Sequence, residues 1–338
     1  MTTPPARPTR RELGTTGLVA SPIGLGLAAL GRPGYINLGR VDDLGVERGV
    51  AAMEARAHEV LDAAWAGGVH AFDAARSYGR AEAFLASWLA LRGIAPGDAL
   101  ISSKWGYTYT AGWRVDADAH EVKEHSLAAL RRQWPETRAL LGDHLALYQV
   151  HSVTPDSPAL DDGALLAELA ALKRGGVRIG LSTSGPQQAD VIARAAEVRV
   201  DGERLFDAVQ ATWNLLEPAA GPALAAAREA GLGVIVKEAL ANGRLTDRNR
   251  DDDFAEQRAL LAREAERLGA TVDALALAAV LAQPWADVVL SGATTVAQLR
   301  ANLRALETPW DAGAATALGA LAEPAGAYWR RRAALPWN

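Results

Sequence analysis

Cysteine is absent from this 338-residue sequence, and neither sign of charge is in large excess. Without cysteine the chain has no disulfide, thiolate zinc site or cysteine nucleophile, which fits a reducing cytoplasm. The 35 lysine and arginine residues against 40 acidic residues give a net charge of −5, so no basic surface favours nucleic acid or an anionic membrane. We therefore expect a cytoplasmic protein without nucleic-acid or membrane partners.

Long apolar runs and metal-binding patterns are also missing. The longest apolar run, 274–282, is far shorter than the roughly 20 residues that a membrane helix needs. The N-terminus is polar and rich in proline, without the apolar centre of a signal peptide. The six histidines form neither an HxH nor an HExxH pattern. The sequence therefore predicts no metal site and disfavours a metal-dependent barrel hydrolase.

Eight short apolar runs alternate with longer Ala- and Leu-rich stretches that have helical spacing. A strand-length run followed by a helix is the pattern of βα units in a parallel sheet. Eight such units in about 300 residues predict an α/β fold, a closed (β/α)8 TIM barrel. The alternative is a doubly wound open sheet, although no GxGxxG turn follows an early strand. The eight runs are 22–30, 69–75, 99–106, 145–152, 177–184, 207–214, 233–240 and 287–293.

The first 45 residues do not follow this repeat. Residues 11–24, RELGTTGLVASPIG, alternate around a GTTG turn and predict a small N-terminal β-hairpin. Residues 31–45 are rich in glycine and predict a loop of the kind that forms a site wall or a lid. We expect a flexible tail at 1–10 and a single barrel domain over 11–338, while the oligomeric state stays open.

Polar side chains end three successive strand candidates. Asp73 and Tyr78 follow the second, Lys104 ends the third and His151 ends the fourth. Because the strand ends of a (β/α)8 barrel gather at one mouth, these four residues would meet there. Taken singly, the acid could cap a helix, and the phenol and the histidine could be structural. Lys104 is harder to explain in this way, since lysine is rarely buried unpaired and the chain has only four lysines.

Together the four groups form a proton donor beside an oxygen-binding hole. The pKa of tyrosine is near 10, but a neighbouring ammonium group stabilises the phenolate and lowers that pKa. Asp73 would keep Lys104 charged and oriented, and His151 would donate a hydrogen bond to a carbonyl oxygen. Such a site suits a carbonyl that accepts hydride at carbon. Since no side chain donates hydride, a nicotinamide cofactor is implied.

Six stretches resemble the aldo-keto reductase family, in order and over nearly the whole chain. RELGTTGLVASPIGLG is similar to the opening hairpin and first strand, FDAARSYG to the segment with Asp and Tyr five residues apart, and ISSKWG to the lysine strand. LALYQVHS resembles the histidine strand, and VQATWNLLEP resembles the segment that holds the nicotinamide. VVLSGATTVAQLRANLRAL resembles the last strand and helix, which hold the adenosine phosphate. The ordered succession carries the resemblance.

The resemblance implies a role for each matching catalytic residue. Tyr78 would be the general acid, Lys104 and Asp73 its tuning pair, and His151 the group that orients the carbonyl. The implied reaction is NADP-dependent reduction of a small aldehyde, ketone or sugar-like carbonyl, or its reverse. The alternative is a nucleotide-binding regulatory module without turnover, as in the related potassium-channel beta subunits.

The resemblance also implies how a nucleotide would be held. Ser182 and Gln210 would bond the nicotinamide carboxamide, and Trp213 would stack on its ring, while Thr183 stands where the family often has asparagine. Gln298, with neighbouring hydroxyls and a basic side chain, fits one family pattern for the 2′-phosphate, which favours NADP(H) over NAD(H). The implied cofactor-binding residues are Ser182, Thr183, Gln210, Trp213, Gly292, Ala293, Thr294, Thr295, Gln298 and Asn302.

Two regions leave alternatives open. Lys237 and Glu238 replace a family segment near the pyrophosphate, and Glu238 either pairs with Lys237 or points into the substrate pocket. The C-terminal segment, 325–338, either packs on the barrel or rims the pocket. The candidate pocket walls are Tyr35, Trp105, Tyr107, Trp113 and the C-terminal aromatic residues.

Overall fold

Eight parallel strands close into a barrel within residues 10–338, the part of the chain that the computed structural model describes. Around the barrel the strand order is β3-β4-β5-β8-β9-β12-β13-β14, and β14 pairs back onto β3. In chain order the strands are β1 (Arg11–Glu12), β2 (Val19–Ala20), β3 (Ile23–Gly26), β4 (Ala71–Asp73), β5 (Leu100–Trp105), β6 (Tyr107–Tyr109), β7 (Glu121–Lys123), β8 (Leu145–Val153), β9 (Arg178–Thr183), β10 (Arg199–Val200), β11 (Glu203–Arg204), β12 (Ala208–Thr212), β13 (Gly233–Lys237) and β14 (Val288–Ser291).

Each of the eight predicted runs coincides with one barrel strand to within one residue or contains it, so the predicted (β/α)8 barrel is confirmed. Helices lie between successive barrel strands, and several end at glycines, as α2 does at Gly67. The helices are α1 (Arg40–Leu44), α2 (Val50–Ala66), α3 (Ala81–Arg92), α4 (Leu127–Leu141), α5 (Gly163–Arg174), α6 (Gln188–Glu197), α7 (Gly221–Glu229), α8 (Ala255–Arg267), α9 (Val272–Leu281), α10 (Val296–Leu303), α11 (Ala312–Leu318) and α12 (Ala325–Ala333).

The predicted N-terminal hairpin is present as the antiparallel pair β1 and β2. It is fixed to the start of the barrel strands by Asp287, whose Oδ2 accepts hydrogen bonds from the backbone N–H of Gly14 at 3.0 Å and of Val234 at 2.9 Å. Arg228 Nε donates to the other carboxylate oxygen at 2.9 Å. The hairpin therefore closes the N-terminal end of the barrel and leaves the C-terminal end open.

The glycine-rich segment 31–45 is a loop that contains the short helix α1. Gly39 and Gly45 flank this helix with φ of 70° and 60°, a region that favours glycine. The expected tail at 1–10 lies outside the described residues except for Arg10. The structure thus leaves one mouth of the barrel surrounded by long loops.

Candidate active site

A cavity of about 370 Å³ opens at the C-terminal ends of the barrel strands. This is the end at which (β/α)8 barrels build their sites, because the loops that follow the strands there can vary in length and sequence. Six strand ends reach its wall, through Gly26, Asp73, His151, Gln210, Lys237 and Ser291.

Tyr78 lies in the turn between β4 and α3, and glycines set its position. Gly79 has φ of 62°, and a Cβ there would come within 2.5 Å of the Gly31 carbonyl oxygen. The backbone N–H of Arg80 donates to that same oxygen at 2.7 Å. The turn is therefore held against the loop after β3, and its phenol faces the cavity.

Asp73 is a buried carboxylate held by donors from several strands. It forms a buried ion pair with Lys104. Its Oδ1 also accepts hydrogen bonds from Ser102 Oγ at 2.7 Å, Gln149 Nε2 at 3.2 Å and Gln210 Nε2 at 3.1 Å. These donors come from β5, β8 and β12, so strands across the barrel fix one carboxylate.

Lys104 connects this carboxylate to the phenol. Its Nζ donates to the Ala74 carbonyl at 3.0 Å and lies 3.3 Å from Tyr78 Oη. Burial lowers the pKa of Lys104, and the Asp73 charge opposes that effect. The predicted grouping of Asp73, Tyr78 and Lys104 at one mouth is what the structure shows.

The pKa of Tyr78 is raised well above its ordinary value, first by burial and then by the Asp73 charge, with Arg32 opposing. The sequence pointed the other way, to a phenol with a lowered pKa. That expectation included the Lys104 ammonium group, which lowers the pKa of the phenol. It left out burial and the Asp73 charge, which both raise it. The phenol is therefore firmly protonated at neutral pH.

His151 lies where β8 becomes irregular. The pairing of β8 with β9 shifts between Val150 and Val153, and Ser152 has φ of 53°. His151 Nε2 lies 3.4 Å from Tyr78 Oη, and Nδ1 lies 3.4 Å from Ser77 Oγ. Burial, followed by the charge of Lys104, lowers the pKa of His151 well below its ordinary value. The ring is thus neutral.

Arg32 forms a cavity wall that the sequence did not indicate. Its guanidinium carbon lies 5.0 Å from the ring centre of Tyr35, 5.2 Å from that of Tyr78 and 4.8 Å from that of Trp337. Its Nη1 donates to Glu121 Oε2 at 2.9 Å. Arg32 and Glu121 lie on separate segments without any recognisable motif, so local patterns could not pair them.

Only part of the predicted aromatic wall reaches the cavity. Tyr35 and Trp337 line it, so the C-terminal segment rims the pocket. Trp105, Tyr107 and Trp113 do not line it, although the Tyr107 ring centre lies 4.9 Å from that of His151.

Glu238 lines the cavity, and its main partner is Arg332 of α12, not Lys237. Arg332 Nε donates to both carboxylate oxygens, at 2.9 and 2.8 Å, whereas Lys237 Nζ lies 3.8 Å away. Burial alone would raise the pKa of Glu238, but the charges of Arg332 and Lys237 lower it to about 2. The acid is therefore ionised and ties the C-terminal helix to the barrel mouth.

The expected cofactor-binding residues fall into two groups. Ser182 Oγ accepts from the backbone N–H of Ser152 at 2.7 Å, and Trp213 Nε1 donates to the Pro218 carbonyl at 3.1 Å. The expected residues that do not line the cavity are Ser182, Thr183, Trp213 and Thr295. The expected residues that line it are Gln210, Gly292, Ala293, Thr294, Gln298 and Asn302.

Two features are absent from residues 10–338. No helix there is long and apolar enough to cross a bilayer. Nor do three or more histidine or acidic side chains of this range gather as they would around a metal ion.

Comparison with known sequences gives consistent matches. The model of the aldo/keto reductase family matches residues 22–323. The aldo-keto reductase str7 of Strobilurus tenacellus is 28% identical over 304 residues, which is 83% of this chain and 82% of that protein. The uncharacterized oxidoreductase YrpG of Bacillus subtilis is 28% identical over 287 residues, covering 78% of this chain and 86% of that one.

Solved structures agree on the fold. The holo form of the aldo-keto reductase AKR11C1 from Bacillus halodurans superposes with a TM-score of 0.71 over 94% of this chain and 97% of that chain, at 23% identity. The structure of PA4992 from Pseudomonas aeruginosa superposes with a TM-score of 0.61 over 91% and 95% of the two chains, at 26% identity. Since the family model spans nearly the whole chain and the barrel matches these structures, the chain belongs to the aldo/keto reductase family.

Proposed function

We propose that this protein reduces the carbonyl of a small aldehyde, ketone or sugar-like molecule to an alcohol with NADP(H), and catalyses the reverse oxidation. The observation that carries the proposal is the position of Tyr78 Oη, 3.3 Å from Lys104 Nζ and 3.4 Å from His151 Nε2 in the cavity wall. A carbonyl oxygen beside Tyr78 and His151 would receive a hydrogen bond from each.

The proton would come from Tyr78. Its phenol stays protonated until negative charge develops on the carbonyl oxygen, and then transfers its proton to that oxygen. The phenolate left behind lies beside the Lys104 ammonium, which Asp73 keeps charged. With the Ser77 hydroxyl donating to Nδ1, the neutral His151 carries its one N–H on Nε2, facing the same oxygen.

The residues present fit a nicotinamide dinucleotide, which when bound supplies the hydride to the carbonyl carbon. Gly292 leaves open space, since a Cβ there would meet no atom within 4 Å. Thr294 and Gln298 offer donors at the start of α10, the end of a helix that favours phosphate. Gln210, beside Asp73, and Asn302 complete the residues we propose to contact it, while Ser182 and Trp213 would need a small shift of the wall.

The test is a panel of aldehydes, ketones and aldoses with NADPH and with NADH, in which the near-ultraviolet absorbance of the reduced nicotinamide is followed. The proposal predicts many turnovers with at least one carbonyl substrate. Dinucleotide binding without turnover in either direction would instead support a regulatory module. Failure to bind either dinucleotide would contradict both functions.

A further inference from the structure

The Asp43 carboxylate of α1 is held in the same cavity as Tyr78 by donors from two distant segments. Arg248 Nη1 and Nη2 donate to it at 2.7 and 2.5 Å, and Gln298 Nε2 donates at 2.8 Å. Thr294 Oγ1 lies 3.3 Å from the same carboxylate. The side chain of Asp43 is only 10% exposed. One carboxylate thus accepts hydrogen bonds from Arg248, Gln298 and Thr294 together.

These donors would form an anion site without Asp43. Gln298 lies in the first turn of α10 and Thr294 directly precedes its N-cap, Thr295, where the helix dipole favours negative charge. Arg248 adds a forked cation from the loop after β13. A planar carboxylate with one charge satisfies this set, but a phosphate offers more oxygens and more charge to the same donors.

The segment that carries Asp43 also holds a buried cation without a full set of partners. Arg40 is completely buried and lines the cavity, yet its Nε and Nη1 have no hydrogen-bond partner. Its Nη2 donates to the Arg32 carbonyl at 2.6 Å. Buried guanidinium donors without partners are costly, so an arrangement of α1 that brings an anion to Arg40 would be favoured.

The ends of α1 are built for such a rearrangement. The helix has five residues and lies between Gly39 and Gly45, both with positive φ. Glycine at both ends allows backbone changes that other residues resist. We expect the segment to release Asp43 through backbone changes at these two glycines, which lie outside the barrel strands.

We propose that Asp43 occupies the place of the adenosine 2′-phosphate and determines cofactor specificity, because NADP(H) must displace it while NAD(H) need not. This inference rests on the proposed function. With Asp43 in place the charge of Arg248 is neutralised, and a 2′-phosphate meets a second anion at the same donors. Asp43 thus weakens binding of the phosphorylated cofactor and leaves that of NADH nearly unchanged.

The test compares Asp43→Asn with Asp42→Asn, which removes the same charge from an exposed neighbour on the same helix. Dissociation constants for NADPH, NADH, adenosine 2′,5′-bisphosphate and adenosine 5′-monophosphate are measured by calorimetry. Asp43→Asn should tighten binding of the two 2′-phosphorylated compounds about tenfold and change the other two less than about twofold. Asp42→Asn should change none of them by more than about twofold.

An equal change for phosphorylated and unphosphorylated compounds, or no gain for NADPH, would overturn the inference. Arg248→Gln gives a second reading if Asp43→Asn melts at a much lower temperature than the wild type. It should weaken NADPH about tenfold and spare NADH, and equal loss of both would again overturn the inference. Failure of the proposed function is distinguishable, because it appears in the wild type, as no turnover or as no binding of either dinucleotide, whereas the inference fails on the change in relative affinities between the variants.

Discussion

Lys104 is a fully buried lysine whose charge is neutralised by one partner, Asp73. Such a pair contributes little to stability compared with apolar residues, but removing one partner leaves an uncompensated buried charge. A buried pair that also lies 3.3 Å from a phenol is therefore better explained by chemistry than by folding.

Lys104→Met is expected to reduce turnover at least about a hundredfold, because no cation would then stabilise the Tyr78 phenolate. It should also destabilise the fold by about 3–5 kcal/mol through the unpaired Asp73. The double variant Lys104→Met/Asp73→Asn should recover most of the melting temperature and none of the turnover. Turnover that returns together with stability would show that Lys104 is only structural.

At this scale the sequence located Asp73, Tyr78, Lys104 and His151, because strand ends of a barrel meet whatever their separation along the chain. It did not give the pKa direction of Tyr78, which depends on burial and on the charge balance around Lys104. The phenol of Tyr78 loses its hydration only when the chain folds, so the sequence alone does not show how far burial raises its pKa.

The turn that carries Tyr78 depends on the close approach of Gly79 to Gly31. Among elements of this size the sequence predicted the hairpin and all eight barrel strands. It missed α1 and the small pairs β6–β7 and β10–β11. Short length alone does not explain the missed pairs, because β1 and β2 have two residues each and were predicted from the GTTG turn between them. The helix α1 has only five residues, too few to show a helical periodicity.

Gly79→Ala should move Tyr78 and reduce turnover, since the new Cβ meets the Gly31 carbonyl in a backbone conformation that already disfavours alanine. Gly93→Ala is the matched control, because Gly93 has φ of 61° and no atom within 4 Å of an added Cβ. We expect about 1 kcal/mol of destabilisation and normal turnover for Gly93→Ala, and a larger loss of both for Gly79→Ala. Melting curves and kcat/KM measure the two effects, and equal behaviour of the variants would contradict this role of the Gly31 contact.

Across the whole molecule the hairpin closes one end of the barrel and the loops build the site at the other. The contacts that the sequence could not predict join distant loops, such as Arg332 with Glu238 and Arg248 with Asp43, 94 and 205 residues apart. Such pairs form only when the barrel closes. For this reason the proximity of Asp73, Tyr78, Lys104 and His151 was predictable, and the charged rim was not.

The stability of the whole molecule should fall in mild acid. Burial lowers the pKa of His125 to about 4, with its Nε2 donating to the His151 carbonyl at 2.7 Å. In the unfolded chain His125 binds a proton below about pH 6.5, whereas in the folded chain it does so only below about pH 4. The folded state is therefore destabilised as the pH falls from 6.5 to 4, by up to about 3 kcal/mol. Urea midpoints between pH 8 and pH 4.5 should fall less steeply for His125→Asn than for the wild type. If the urea midpoints of His125→Asn and the wild type fall equally steeply with pH, His125 is not the source of the acid sensitivity.

The central claim, that the Tyr78 phenol supplies the proton, is tested most directly by kcat/KM of Tyr78→Phe alongside Tyr107→Phe. Both variants lose one hydroxyl from a ring next to His151, but only Tyr78 Oη lies within hydrogen-bond distance of His151 and Lys104. We predict a loss of about 10²- to 10⁴-fold for Tyr78→Phe, with dinucleotide affinity unchanged, and near-normal turnover for Tyr107→Phe. Wild-type turnover in Tyr78→Phe would contradict the account.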